Sequence, residues 1–187
     1  RSQRDAVPIE AHAEAALETG RIDPLTVLAQ QDRNRLVELI PLRYGRMSRT
    51  PFTFLRGAAA VIACDLDSGA RANLRVELCG DAHLGNFRWY CAPNRELVFD
   101  LNDFDETLPG SFEWDLKRLA ASVTIAGRNN ELTDKKIRAA TKAAVRGYRE
   151  GIAATLARSP LAIHYYRVDI QSLLEQDEKL RKRSRKA

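Results

Sequence analysis

Side chains that could perform chemistry are concentrated between Leu78 and Asp105, a stretch that reads LCGDAHLGNFRWYCAPNRELVFDLNDFD. Asp81 and Asn86 reproduce the D-x-x-x-x-N separation of a phosphotransferase catalytic loop. In such a loop the aspartate orients or deprotonates the acceptor hydroxyl, and the asparagine holds a metal ion. The spacing therefore predicts Asp81 as a catalytic residue and Asn86 as a metal ligand.

A second acidic group follows at Asp103 and Asp105, where a D-F-G-like metal carboxylate would belong. Mg²⁺ prefers hard oxygen ligands in an octahedron and usually keeps several waters. One amide oxygen with one or two carboxylates, completed by nucleotide phosphates, is a chemically sensible ligand set for it. We therefore expect Asp103 and Asp105 to bind Mg²⁺ beside Asn86, with ATP as the second cofactor.

Short apolar strands are expected to position these groups. Val76 to Leu78 predicts a short buried strand, and Phe87 to Cys91 and Leu97 to Leu101 predict two more. Pro93-Asn94 supplies the turn between the last two. The candidate residues then lie at strand ends and in loops, where rigid scaffolds usually present reactive groups.

Helical patterns precede this region. Pro8 to Thr19 predicts a short helix, and Asp23-Pro24 supplies an N-cap followed by proline in the first turn of the next. The segment after it fits one bent helix or two short ones, with Asp32 as a second cap and Pro41 as the end. Phe54 to Leu66 is apolar nearly all round, which favours a buried helix over a strand.

Arg56 stands out in that apolar segment. Two roles are open for it, because a guanidinium group can pair with a core carboxylate or clamp a phosphate. It is the candidate cofactor-binding residue. The segment from Asp67 to Asn73 then predicts a polar turn that leads into the first strand of the site.

Further helices are expected after the acidic group. Pro109-Gly110-Ser111 predicts a turn and an N-cap for a helix that ends at Gly127 to Asn130. A long helix should run from Thr133 to Leu156, and another should resume from Leu161 to Leu180 after a break at Ser159-Pro160. Apolar residues of the long helix repeat every three or four positions and are expected in the core, namely Ile137, Ala140, Ala144, Tyr148, Ile152 and Leu156.

Several motifs in this order resemble known families. Gly80 to Asn86 reads G-D-x-H-x-x-N and resembles the aminoglycoside-phosphotransferase branch of the protein-kinase-like fold, with Cys79 where those enzymes usually carry histidine. A closer resemblance, over roughly Asp32 to Tyr148, is to a bacterial family known as domain of unknown function 2252. Its motifs are PLRYGRM (Pro41 to Met47), PFTFLRGAA (Pro51 to Ala59), CGDAHLGNF (Cys79 to Phe87) and FDLNDFDETLPGSFEWDLKRLAAS (Phe99 to Ser122).

The resemblance implies roles for individual residues. Asp81 would match the catalytic aspartate, and His83 would join it as a catalytic-site residue that shapes the loop. Asn86 and Asp103 would bind the metal. Asp115 would support the catalytic loop from beneath, although it could also simply favour the positive N-terminus of its helix. Asp105 and Glu106 have no clear counterpart, so a second metal and a substrate contact both stay open.

The resemblance also implies a fold class, α+β and mostly α. We expect a protein-kinase-like large (C-terminal) lobe with a small β-hairpin that carries the catalytic loop. N-terminal helices would occupy residues 1–50, the catalytic core 51–130 and C-terminal helices 131–187. The glycine loop and lysine strand of a nucleotide lobe are expected after this region. Nothing after Asn130 matches such a loop and no V-A-x-K strand occurs, so the chain is expected to be a truncated lobe.

Three functions are compatible with these motifs. The first is kinase-like, Mg²⁺- and ATP-dependent transfer to a hydroxyl of a small molecule or protein. The second is a catalytically inactive, truncated domain or pseudoenzyme. The third is a metal-dependent phosphoesterase, because G-D-x-H-x-G-N echoes the first motif of dinuclear phosphatases. Those enzymes need further histidine and aspartate ligands, and the chain has only His12, His83 and His164.

Composition indicates the class of protein and the cellular compartment that the chain fits. Hydrophobic residues make up 44% of the 187 residues and charged residues 29%, as in a typical globular chain, and no apolar run is long enough to cross a bilayer. An odd count of three cysteines without a C-x-x-C spacing argues against a disulfide framework and a zinc site. They are expected to be free, mostly buried thiols in a reducing cytoplasm. The net charge is +5, and Lys179 to Lys186 is strongly basic, which suits a solvated helix end better than a nucleic-acid partner.

Overall fold

The structure is a computed structural model that describes residues 7–12, 20–72, 74–170 and 173–174. Short helices precede two small antiparallel sheets, and longer helices follow them, which confirms the α+β, mostly helical fold class. The α-helices of the described residues are α1 (Pro24–Asp32), α2 (Ile40–Met47), α3 (Pro51–Gly57), α4 (Ala59–Asp67), α5 (Glu113–Asn129), α6 (Asp134–Leu156) and α7 (Pro160–His164). The strands are β1 (Arg75–Leu78), β2 (Phe87–Cys91), β3 (Leu97–Leu101) and β4 (Leu108–Ser111).

Helix α1 begins as its sequence predicts, because the Asp23 carboxylate accepts a hydrogen bond from the Thr26 N–H at 3.2 Å. The expectation that Pro41 ends the next segment is wrong, since Pro41 lies in the first turn of α2. Proline is compatible with that position because the first N–H groups of a helix have no intrahelical partner. Asp32 does not cap a second helix; it accepts a 2.6 Å hydrogen bond from the Tyr44 hydroxyl and joins α1 to α2.

The single buried helix expected from Phe54 to Leu66 is two helices, α3 and α4, separated at Ala58. A capping box between Thr50 and Thr53 starts α3. Phe54 is exposed, because α3 is only seven residues long and buries Leu55 instead. The core in this part of the molecule consists of Val27, Leu28, Met47, Ala58 and Val61.

The two sheets have two strands each. The hairpin of β2 and β3 has the predicted bounds, with Phe87 opposite Leu101. Strand β1 pairs with β4, which replaces the turn expected at Pro109-Gly110. Proline is tolerated there because β4 is an edge strand. Strand β1 is not the buried strand that was expected, since Leu78 is its only buried residue.

Helix α5 begins without the expected serine N-cap. The Ser111 hydroxyl donates to the Ala72 carbonyl oxygen at 2.6 Å and lies 2.8 Å from a carboxylate oxygen of Glu113. The same carboxylate accepts the Ala72 N–H at 2.6 Å. Ser111 and Glu113 are both buried, so this group joins the start of α5 to the segment before β1.

The long helix α6 packs against α5, but the prediction that its apolar stripe is core is wrong for most positions. Ile137 is buried against Gly127, whereas Leu156 is 81% exposed. Helix α5 has 17 residues and α6 has 23. The Thr124 and Thr141 hydroxyls lie 2.9 Å apart across the two helices. From there α6 continues for 15 residues to Leu156, whereas α5 begins only 11 residues before Thr124. The last turn of α6 therefore extends past α5, which leaves Ile152 and Leu156 exposed.

Other expectations lie partly outside the described residues. The helix predicted for Pro8 to Thr19 is described only as a 3₁₀ turn at Ile9–His12. The helix expected to resume to Leu180 is described as the short α7, after which the chain pairs with β3 through a bridge between Asp169 and Val98. Asn73 and the basic run from Lys179 to Lys186 are outside the described part.

Two expectations from composition can be compared with the structure. All three cysteines are free, as predicted, but Cys91 is exposed rather than buried, while Cys64 and Cys79 are half-buried. In the part of the chain that the structure describes, no helix is both long and apolar enough to cross a membrane.

Candidate functional site

The residues predicted to do chemistry line one cavity of about 820 Å³. Asp81, His83 and Asn86 reach it from the loop between β1 and β2. Asp103 and Asp105 reach it from the loop between β3 and β4. The two loops, 79–86 and 102–107, are therefore neighbours, and a volume of this size is in the range of small-molecule sites.

The loop 79–86 has a tight start that only glycine allows. Gly80 has φ +84°, and a Cβ at this position would lie 1.8 Å from the carbonyl oxygen of Glu106. A positive φ is sterically costly for other residues. The close approach of Gly80 to Glu106 also fixes the first loop against the second.

Asp115 holds the same loop from the first turn of α5. One carboxylate oxygen accepts the Cys79 N–H at 2.9 Å, and the other accepts the Gly80 N–H at 3.1 Å. These two bonds hold the backbone at the start of the loop. Burial, and after it the negative charge of Asp115, raises the pKa of the Cys79 thiol to about 12.

Two buried side chains shape the interior of the loop. Asn86 is 1% exposed, and its amide nitrogen donates to the Asp81 carbonyl oxygen at 3.0 Å, so its amide oxygen is the atom that a cation would take. His83 is 2% exposed, and its Nδ1 accepts the Gly85 N–H at 3.0 Å. That bond assigns the ring proton to Nε2, which lies 3.6 Å from an Asp81 carboxylate oxygen. Burial lowers the pKa of His83, the charges of Arg118 and Arg56 lower it further, and Asp81 opposes them.

Arg118 is a site residue that the sequence analysis missed. Its side chain is 2% exposed, its Nε donates a hydrogen bond to Asp81 Oδ1, and its Nη2 forms an ion pair with the same oxygen. Nη2 also donates to the Leu55 carbonyl oxygen at 3.0 Å. Arg118 lies three residues after Asp115, so both face the loop from one side of α5. That spacing in WDLKRLA was the available signal.

The carboxylates of the second loop are crowded. The pKa of Asp103 is raised, first by a hydrogen bond with Asp105, then by burial and by the negative charges of Asp105 and Asp81. Two neighbouring carboxylates and an amide oxygen lining one cavity are ligands of the chemical type that Mg²⁺ prefers. Within the described residues, no three acidic, histidine or cysteine side chains form a metal-binding group.

Arginines contribute positive charge to the same cavity. Arg56 is exposed on α3 and lines it, and no carboxylate of the described residues lies within ion-pair distance of its guanidinium. The alternative in which Arg56 pairs with a core carboxylate is therefore not what the structure has. Arg35, Arg43 and Arg46 also line the cavity. Sequence reasoning missed them, although two of them lie in the PLRYGRM motif.

Comparison with known proteins gives one family. A family described as "Uncharacterized protein conserved in bacteria (DUF2252)" matches residues 35–187. No curated protein and no solved structure gave a match. The family match starts close to the predicted Asp32 and extends beyond Tyr148. The kinase-like relationship, the truncation and the division into segments stay predictions. Because the match covers most of the chain, this protein belongs to the bacterial family DUF2252.

Proposed function

We propose that this chain performs Mg²⁺-dependent phosphoryl transfer from a nucleoside triphosphate to a hydroxyl group. One observation carries the proposal. The loop with Asp81 and Asn86 and the loop with Asp103 and Asp105 line the same cavity, although they are separate in sequence. Phosphoryl transfer has a loose transition state, so catalysis consists mainly of positioning and charge neutralisation. A cavity with grouped carboxylates and arginines is suited to both.

In this proposal Asp81 positions the acceptor hydroxyl. Its Oδ1 accepts a hydrogen bond from Nε of the buried Arg118 and forms an ion pair with Nη2 of the same side chain. Its Oδ2 lies 3.6 Å from His83 Nε2. Because these two contacts fix the carboxylate, Asp81 would orient the hydroxyl nucleophile.

Asn86, Asp103 and Asp105 would hold Mg²⁺, with Arg56 on the phosphates. Bound Mg²⁺ would supply charge neutralisation to the phosphate oxygens. The Asn86 amide is already fixed by its bond to the Asp81 carbonyl oxygen, so its free oxygen is pre-oriented. Arg56 is exposed, and a guanidinium can bind phosphate oxygens in a bidentate way.

A second candidate is a domain that binds a nucleotide or partner without catalysis. The observation in its favour is that Asp81 is already committed to the buried Arg118, as in many purely structural ion pairs. The phosphoesterase alternative has no such support. His12 and His164 do not line the cavity, so His83 is the single histidine available there.

Calorimetric titration with ATP, with and without Mg²⁺, tests the proposal. We expect Mg²⁺-dependent binding that Asp103→Asn weakens at least tenfold. Asp67→Asn is the matched control, because Asp67 lies outside the cavity in an exposed pair with Arg71. Mg²⁺-independent binding, or equal binding by Asp103→Asn, contradicts the metal assignment.

Nucleotide turnover separates the two candidates. At saturating Mg²⁺ and ATP, water can accept the γ-phosphoryl group in place of a substrate hydroxyl, which forms ADP and inorganic phosphate. Asp81→Asn should lower this rate while ATP affinity is kept. Binding without any ADP formation, or ADP formation that Asp81→Asn leaves unchanged, favours the non-catalytic candidate.

A further inference from the structure

A group of arginines lines the cavity without a role in the proposed metal site. Arg35, Arg43 and Arg46 join Arg56 there, and they come from a different part of the chain than the two loops. Arg35 follows α1, where its N–H donates to the Asp32 carbonyl oxygen at 3.1 Å. Arg43 and Arg46 are three residues apart on α2, so their side chains lie on one face. We call Arg35, Arg43 and Arg46 the arginine wall.

Arg43 is the fixed member of the arginine wall. Its Nη2 donates to the Gly57 carbonyl oxygen at 2.7 Å, and its Nη1 lies 3.5 Å from a carboxylate oxygen of Asp32. Nη2 also donates to the Gln31 side-chain oxygen at 3.4 Å, and the guanidinium lies over the Tyr44 ring, 5.6 Å from its centroid. A guanidinium has five N–H donors, so these contacts leave donors free. Arg43 is therefore anchored between α1 and the end of α3, and its guanidinium has a fixed position in the cavity wall.

Arg35 and Arg46 are the uncommitted members. Both are exposed, and within the described residues neither forms an ion pair or a side-chain hydrogen bond. Asp103, Asp105 and Glu106 line the same cavity, yet none of them neutralises these arginines. Arginines and carboxylates therefore line the same cavity without forming ion pairs with each other. A ligand in the cavity can contact both.

The chemistry of the wall selects an oxyanion. Guanidinium groups match the oxygens of phosphate and carboxylate in a planar, bidentate geometry that ammonium groups lack. Within the described residues, the cavity has arginines but no lysine among its lining side chains. The proposed nucleotide phosphates already have Arg56 and the metal as counter-charges, so the arginine wall is available for another anionic group.

We propose that Arg35, Arg43 and Arg46 bind an oxyanion carried by the acceptor substrate itself, either a phosphate ester or a carboxylate. The assignment of this oxyanion to the acceptor rests on the proposed phosphoryl transfer. Oxyanion binding by the arginine wall is independent of it. The acceptor is then an anionic small molecule that presents its hydroxyl to Asp81 while its oxyanion lies on the arginine wall.

The test uses inorganic phosphate and malonate as probes in calorimetric titrations without Mg²⁺ or nucleotide. We expect at least one of the two to bind, and the Arg35→Gln/Arg46→Gln double variant to bind it at least tenfold more weakly. Arg33→Gln/Arg49→Gln is the matched control, because both residues are exposed neighbours that do not line the cavity and the charge change is the same. Arg43 is kept, since it also holds α2 in place.

A second titration distinguishes acceptor from nucleotide. Binding of the probe that persists at saturating Mg²⁺ and ATP supports the acceptor assignment, and preference for phosphate or malonate identifies the oxyanion. Loss of probe binding under these conditions assigns the wall to the nucleotide and overturns the proposal. Failure of both probes to bind, or equal binding by both double variants, overturns it as well. If ATP fails to bind but a probe binds, the proposed phosphoryl transfer is refuted and oxyanion binding by the arginine wall is still supported.

Discussion

Replacing Arg118 with methionine isolates the buried ion pair behind the site. Arg118 is 2% exposed, and it donates to Asp81 and to the Leu55 carbonyl oxygen. Methionine is flexible and apolar, so it fills much of the space but leaves the Asp81 carboxylate without its partner. Loss of one partner from a buried ion pair costs about 3 to 5 kcal/mol. The Asp81 side chain is 12% exposed, so water relieves part of its charge and we expect the lower value, about 3 kcal/mol.

Urea unfolding followed by circular dichroism measures this loss as a decrease in the free energy of unfolding. Arg128→Met is the control, because Arg128 is exposed in the last turn of the same helix and its replacement should cost under about 0.5 kcal/mol. The Asp81→Asn/Arg118→Met double variant completes a mutant cycle. Since the amide carries no charge to strand, we expect the double variant to be at least about 1 kcal/mol more stable than the two single losses predict by addition.

Two results would refute this reasoning. A loss below about 1 kcal/mol in Arg118→Met is typical of solvated pairs, so Arg118 would not hold the Asp81 carboxylate in place. Additive losses across the cycle would show that the two side chains act independently. In either case the proposal that Arg118 positions Asp81 toward the acceptor hydroxyl would lose its support.

Further predictions concern the loop that carries Asp81. Gly80→Ala should destabilise the fold by more than about 2 kcal/mol, since the φ of +84° is strained for alanine and its Cβ meets the Glu106 backbone; thermal unfolding measures it. Gly147→Ala has open space in helix α6 and should instead stabilise by about 0.5 to 1 kcal/mol. Asp115→Ala strands the N–H groups of Cys79 and Gly80, which should cost about 2 to 4 kcal/mol in urea unfolding and weaken ATP binding; an unchanged midpoint would contradict the support role. Cys91 should react with Ellman's reagent at pH 8 much faster than Cys79, whose pKa is raised to about 12; Cys91→Ser should remove the fast phase and Cys79→Ser should leave it.

The sequence predicted correctly those elements whose structure depends mainly on neighbouring residues in the chain. The hairpin of β2 and β3 has the expected bounds because strand-forming residues, a Pro93-Asn94 turn and the strand lengths agree. Pro41 and Pro109 were misread, because proline is compatible with a helix start and an edge strand as well as with a break. Which of these holds depends on neighbouring elements: Pro109 lies in a strand only because β1 is present to pair with it.

The site shows the same division between local and long-range information. The spacing from Asp81 to Asn86 is local and predicted two cavity-lining residues. The partner of Asp81 is 37 residues away on α5, and the arginine wall is 35 to 46 residues before Asp81. Whether Arg118 faces the loop or solvent depends on how α5 packs, which its own periodicity does not determine. Arg118 is nevertheless among the most buried side chains described.

The hydrogen bonds of the loop 79–86 have a consequence for mechanism. Asp115 receives the N–H groups at its start, Ser122 receives the Leu84 N–H at 2.8 Å, and Asn86 donates back to Asp81. Each of these contacts joins two groups of the protein itself. Because protein groups hold the loop, less conformational entropy is lost when it takes part in binding. If the proposed phosphoryl transfer is correct, selectivity should come from the exposed arginines, which can still adjust, rather than from closure of the loop. Substitutions in the arginine wall should then change the affinity for the acceptor, whereas substitutions beneath the loop should change stability and turnover together.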